Sequence, residues 1–172
     1  MKFVEYLKPG ALAVRAYAER LVREIPASVF ARIPVVNGSV VVVNHPAFVL
    51  GHLSLYPIQL AEMAGLTIQG VEIPEDYQGL FKMGVQCVDD PQQNIYPHKD
   101  ELIERYFCST DALMGRLSDI DPTVFDMPLE SPARREKFGN VGAFLAYLLL
   151  AHPQTHFGQV SAWRRCMGMG PA

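Results

Sequence analysis

Apolar residues recur at helical spacing in four stretches of this chain, each bounded by Pro, Gly or a polar break. In the first, about Gly10 to Ile25, Val14, Tyr17, Leu21 and Ile25 fall on one stripe. Arg15, Glu19, Arg23 and Glu24 lie largely opposite. Glu19 and Arg23 stand in the favourable i, i+4 order, and Pro26 ends the segment. The stretch "VFARIPVVNGSVVVV" is rich in β-branched residues, with a turn signal at Asn37-Gly38. It allows a two-strand hairpin or an extended crossover. A second helix is predicted from "NHPAF" to about Met63, with Asn44 as N-cap, Pro46 in the first turn and Gly65 as the stop. Pro57 should bend it, because the carbonyl of Leu53 loses its donor.

Residues 65 to 97 form a long connection rich in Gly, Pro, Asp and Gln, within which "EDYQGLFKMG" could supply a short helix. A loop of this length in a compact domain is usually ordered for a purpose, such as the rim of a site. The third helix follows "YPHKDELIERYFCSTDALMGRLSDI", with Leu102, Tyr106, Leu113 and Leu117 on one stripe. The link "DPTVFDMPLESPARREKFGN" leads to the last helix, about Val141 to Met167. Four amphipathic helices without a convincing sheet predict an all-α fold. The expected arrangement is an up-and-down four-helix bundle with long loops, forming a single domain over residues 1–172.

Composition narrows the function. A formal charge of −3 and no Lys- or Arg-rich stripe argue against nucleic acid as a partner. The longest apolar run, "VGAFLAYLLLA", is 11 residues, short of the roughly 20 that span a bilayer. The N-terminus lacks the features of a signal peptide. Cys87, Cys108 and Cys166 form no C-x-x-C pair and suggest a reducing compartment. A cytoplasmic protein acting on a small molecule, with no membrane partner, is expected, and a homodimer is compatible with the pattern.

The chemistry rests on histidines. In "LLLAHPQTHFGQVSAWRR", His152 and His156 are four apart and project from one helix face. Their stripe runs back through Leu148, Leu145 and Val141 and forward through Gln159, Trp163 and Cys166, which places the pair in the middle of the core-facing stripe. Two unpaired buried imidazoles would each cost a few kcal/mol, so a partner is required. On the second helix, His52 shares a face with Phe48, Leu55 and Gln59. His45 points the same way but lies roughly 10 Å off along the axis, too far to share an ion with His52. Three imidazoles with open positions suit a catalytic divalent metal. A metal-free histidine cluster satisfied by hydroxyls, carbonyls or water is the alternative.

The pattern "FLAYLLLAHPQTHFGQVSAWRRCMG", together with "FVLGHLSLY", resembles the last and second helices of the DinB-like superfamily. The resemblance covers the order and approximate length of all four helices. It implies a four-helix bundle that binds a divalent ion, zinc or nickel, through His52, His152 and His156. It further implies a metal-dependent enzyme, such as an S-transferase using a low-molecular-weight thiol. A hydrolase, or a non-catalytic bundle with a structural metal or histidine cluster, is the competing expectation. His45, Gln159 and Arg164 are candidate substrate or supporting contacts. One feature departs from the pattern: Pro153, between the two ligands, removes the bond to Leu149 and should kink the helix at the site.

Overall fold

A computed structural model describes residues 2–172. The chain is mostly helical, with one small hairpin. Helix α1 spans Lys2–Arg23, two turns longer at its start than the periodicity after Pro9 implies. Val4, Leu7 and Ala11 are buried and extend the stripe of Ala18, Leu21 and Ile25 backwards. Pro9 sits on the exposed side, where water can satisfy the carbonyl that its missing N–H leaves free. Apolar burial therefore overrides a residue that usually ends helices.

Strands β1 (Val35–Val36) and β2 (Ser39–Val40) pair antiparallel, Val35 with Val40 and Val36 with Ser39. Asn37 and Gly38 have φ of 51° and 79°, the two positive values that a type I′ turn requires. The hairpin reading thus prevails over the crossover.

The second helical stretch is split into α2 (Pro46–Ser54) and α3 (Tyr56–Met63), with the break at Leu55, two residues before Pro57. The N-cap is His45 rather than Asn44. Its Nδ1 accepts the Phe48 N–H at 3.1 Å, while its Nε2–H donates to the Val88 carbonyl at 3.0 Å. In the long connection, a short helix, α4, covers Tyr77–Phe81. The buried carboxylate of Asp90 accepts the backbone N–H groups of Asn94, Ile95 and Tyr96, which orders the loop beyond it.

Helix α5 spans Lys99–Arg116. The following link holds a further short helix, α6 (Pro132–Phe138), which starts with Pro132 behind a Ser131 cap. The last stretch begins as α7 (Val141–Ala146), capped by Asn140, and continues as α8 (His152–Cys166). Between them Tyr147–Ala151 form a π turn, in which the His152 N–H bonds the carbonyl of Tyr147 five residues back.

Helix α2 packs on α5 and α8, while α1 lies against α8, the π turn and α5. Arg15 and Asp111 join α1 to α5 through two hydrogen bonds of 2.7 and 2.8 Å. The interior divides into two apolar clusters, one around Phe48, Phe81, Phe157 and Trp163 and the other around Leu113, Leu117, Phe125 and Leu145. Tyr56 packs against both. The histidines lie beside this seam. Among the described residues, no helix is long and apolar enough to cross a membrane.

Candidate metal centre

His52, His152 and His156 converge. Each offers a ring nitrogen, and these atoms lie within 4.8 Å of one another. The Nε2 atom of His152 is 3.4 Å from that of His52 and 3.2 Å from that of His156. A tetrahedral ion with bonds of about 2.0–2.1 Å holds its ligand atoms about 3.3–3.4 Å apart, so these two spacings suit one cation. Pro153 does not separate the pair.

What presents His52 is an arrangement of three residues. Its Nδ1 donates to the Phe81 carbonyl at 2.6 Å. A carbonyl only accepts, so the neutral ring carries its proton on Nδ1 and points a bare Nε2 at its neighbours. Phe81 reaches this position because its ring lies directly on Gly51. A Cβ at that position would fall 2.4 Å from the Cε1 and Cζ atoms of the ring. The Gly-His pair is therefore a single unit: Gly51 admits the ring, and the chain behind the ring orients the histidine.

His156 is held in a similar way. Its Nδ1 donates to Gln159 Oε1 at 3.0 Å, and that oxygen also accepts from Asn44 Nδ2 at 3.1 Å. Because Asn44 donates to it, the Gln159 atom acts as the acceptor, and Nε2 of His156 is again the free lone pair. The third ring differs. His152 Nδ1 is buried and lacks a partner among the described residues, although the rings of Tyr56 and Tyr147 lie 4.7 and 5.7 Å from the imidazole between centroids.

All three rings are held neutral, the form that a metal ligand needs. Burial lowers the pKa of His52, and His156 adds to the effect. Burial lowers His156 as well, against the opposing influence of Gln159. His152 is pushed down to about 3, first by burial and then by its two neighbours.

The expected place of the pair on its helix needs correcting. His52 is buried, but His152 and His156 are half-buried at the edge of the apolar stripe rather than at its centre. Beyond the π turn, the core positions are taken by Pro153, Phe157, Val160 and Trp163. The two imidazoles are thus partly exposed, and His52 is the buried member of the three.

The remaining candidates divide. Gln159 touches His156, as described. His45 is wholly buried as the α2 cap and does not reach the three rings. Arg164 is also buried; its guanidinium donates to the carbonyls of Leu21 at 2.7 Å and Gly170 at 3.4 Å, tying the end of α8 to α1. It is a structural clamp and offers nothing to a substrate.

The sequence did not single out Tyr56, whose hydroxyl lies 3.2 Å from His52 Nε2 and whose ring is 4.7 Å from that of His152. Its i+4 spacing from His52 was the available signal. Burial raises its pKa, Tyr147 adds to the rise and Arg134 opposes it, so the phenol keeps its proton.

No family model, curated protein or solved structure matches this chain.

Proposed function

We propose that His52, His152 and His156 bind a divalent transition metal with positions left open, and that the protein is a metal-dependent enzyme of the DinB-like type. The carrying observation is the convergence of three neutral imidazoles through Nε2, two of them with the opposite nitrogen fixed by an acceptor. Structural zinc sites use four protein ligands, whereas three ligands beside an opening suit exchange of a bound molecule. The order of the long helices and the placing of one histidine on α2 and two on α8 support the DinB-like reading.

Zinc or nickel fits an all-imidazole set. Such an ion, when bound, supplies Lewis acidity and lowers the pKa of a thiol or water. The chain's own residues set the conditions. Phe81 and Gln159 fix the ring orientations, and the apolar residues around α2 limit water at the floor of the site. Tyr56 places a phenolic O–H beside the rings, where it can donate to the bound group or to its reaction partner. The favoured reaction is transfer of a low-molecular-weight thiol to a small electrophile, with hydrolysis as the alternative.

A metal-free reading has one observation in its favour. Tyr56 can donate to His52 Nε2, and a proton on His152 Nε2 can bridge to His156, which satisfies most of the cluster without an ion. Elemental analysis of the purified protein, followed by calorimetric titration of the chelated form with zinc and nickel, separates the two. The metal reading expects one ion per chain and its loss in His152→Ala. No transition metal, and no binding at micromolar concentrations, would leave the hydrogen-bonded cluster.

A further inference from the structure

Beside the histidines lies a cleft of about 440 Å³, lined by Gln59, Leu60 and Met63 of α3, by Phe144 and Leu148, and by Arg134 of α6. It begins one turn from the centre on both walls. Gln59 follows Tyr56 on α3, and Leu148 precedes His152 in the last helical stretch. Tyr56 connects the two, since its hydroxyl touches His52 and it lines a small neighbouring hollow with Leu60 and Leu148, which also line the cleft.

Arg134 is the unusual member. Its Cζ lies over the Phe144 ring, 5.2 Å from the centroid, a cation–π contact that leaves the N–H donors free to bond elsewhere. Among the described residues, those donors have no hydrogen-bond acceptor and no ion-pair partner. Glu62 and Glu130 line the same cleft without pairing with it. The neighbouring Arg135 behaves differently. Its guanidinium is committed to the carbonyls of Leu129 and Glu130 and fastens α6 in place. Lys137 lies outside the cleft lining, its Nζ 5.5 Å from the centroid of Tyr147. Arg134 is thus the one cation among the residues that line the cleft, set apart from the carboxylates of Glu62 and Glu130 by its place over Phe144.

We infer that this cleft binds the carboxylate of a small ligand with an apolar body, Arg134 gripping the acid while the other end of the ligand reaches the three histidines. Guanidinium and carboxylate match as paired donors and acceptors, and the apolar walls take the carbon skeleton. This assigns a substrate class to the centre proposed above and rests on that reading for its catalytic meaning, although binding in the cleft does not require the ion.

The test has two arms. In the first, metal-free protein is titrated with phenylacetate, 3-phenylpropionate and 4-phenylbutyrate and with the matching neutral amides. At least one acid should bind tenfold or more tighter than its amide, and Arg134→Gln should abolish that preference while leaving the helical circular dichroism unchanged. In the second, cobalt-loaded protein is titrated with ω-mercaptocarboxylates of increasing chain length and with their amides, read by the sulfur-to-cobalt charge-transfer band. One chain length should favour the acid, again only when Arg134 is present. Acids and amides binding alike in the first arm, or a preference that survives Arg134→Gln, would overturn the inference. Failure of cobalt to bind would count against the metal centre alone, and the first arm would still decide the cleft.

Discussion

Gly51→Ala is the most informative single change, because it acts on the site without altering any ligand. The added methyl would lie 2.4 Å from two ring atoms of Phe81, against an ordinary carbon–carbon contact of about 3.5–4.0 Å. The ring or the helix must therefore yield by about 1 Å or more. The ring has little freedom. It is fully buried, with the rings of Phe48, Tyr77 and Tyr96 at 6.1, 4.9 and 5.8 Å. Overpacking of this kind costs about 1–3 kcal/mol. Moving the ring also moves the Phe81 carbonyl from its 2.6 Å bond to His52, and losing such a support weakens metal binding about 10–100-fold. Thermal melts of the chelated protein would report the first effect and zinc titration the second. Phe81→Leu in the same background should recover part of the stability loss, giving a coupling in a double-mutant cycle. A Gly51→Ala protein with unchanged melting temperature and zinc affinity would refute the account of the Gly-His unit.

Other expectations follow from individual contacts. Gln159→Leu removes the acceptor that fixes His156 and should lower zinc affinity about tenfold or more, with little loss of stability in the chelated form, measured by competition with a chromophoric chelator. Trp163→Phe deletes the 2.7 Å bond from Nε1 to the Arg32 carbonyl and should cost about 1–3 kcal/mol in denaturant unfolding. His45 gives a pH dependence: burial pushes its pKa down from 6.5 to about 4, against the carbonyl of Val88 and the charges of Asp89 and Asp90. The unfolded chain then binds a proton that the folded chain refuses, so its contribution to stability is present above 6.5 and lost as pH falls towards 4. His45→Asn, which keeps an N-cap acceptor, should flatten that part of the stability profile, and an unchanged slope would count against the assignment.

The helical stretches, the hairpin turn and the pairing of His152 with His156 were legible because each depends on local spacing. His52, 100 residues away, joined them only through its place on a second apolar stripe and the resemblance of the two helices to the DinB-like pattern. The supports were not legible. Phe81 reaches His52 from 29 residues away, and Asn44 reaches Gln159 across 115. No periodicity encodes such pairings, which depend on where the long connection folds. The same holds for Arg164, which sequence alone could place at a substrate but which the fold commits to the Leu21 carbonyl. Helix α6 was overlooked because its charged residues carry no apolar stripe; its signals were only Ser131 and the following Pro132.

Pro153 connects local sequence to site architecture in a way that neither shows alone. A proline in a regular helix clashes with the carbonyl four residues back, here that of Leu149. The widened turn at Tyr147–Ala151 lets the helix continue past the proline, and it does so by adding one residue to the turn. One residue of an α-helix corresponds to a rotation of about 100°, so everything after the turn presents a different face from that extrapolated from Val141 and Leu145. Pro153, Phe157 and Val160 rotate into the core, and the histidines, one position earlier, rotate to its edge. An uninterrupted α-helix would have carried His152 and His156 inward with Leu145 and Leu148 and buried the rings. Pro153 is accommodated by the same distortion that gives the histidine pair its partial exposure to solvent.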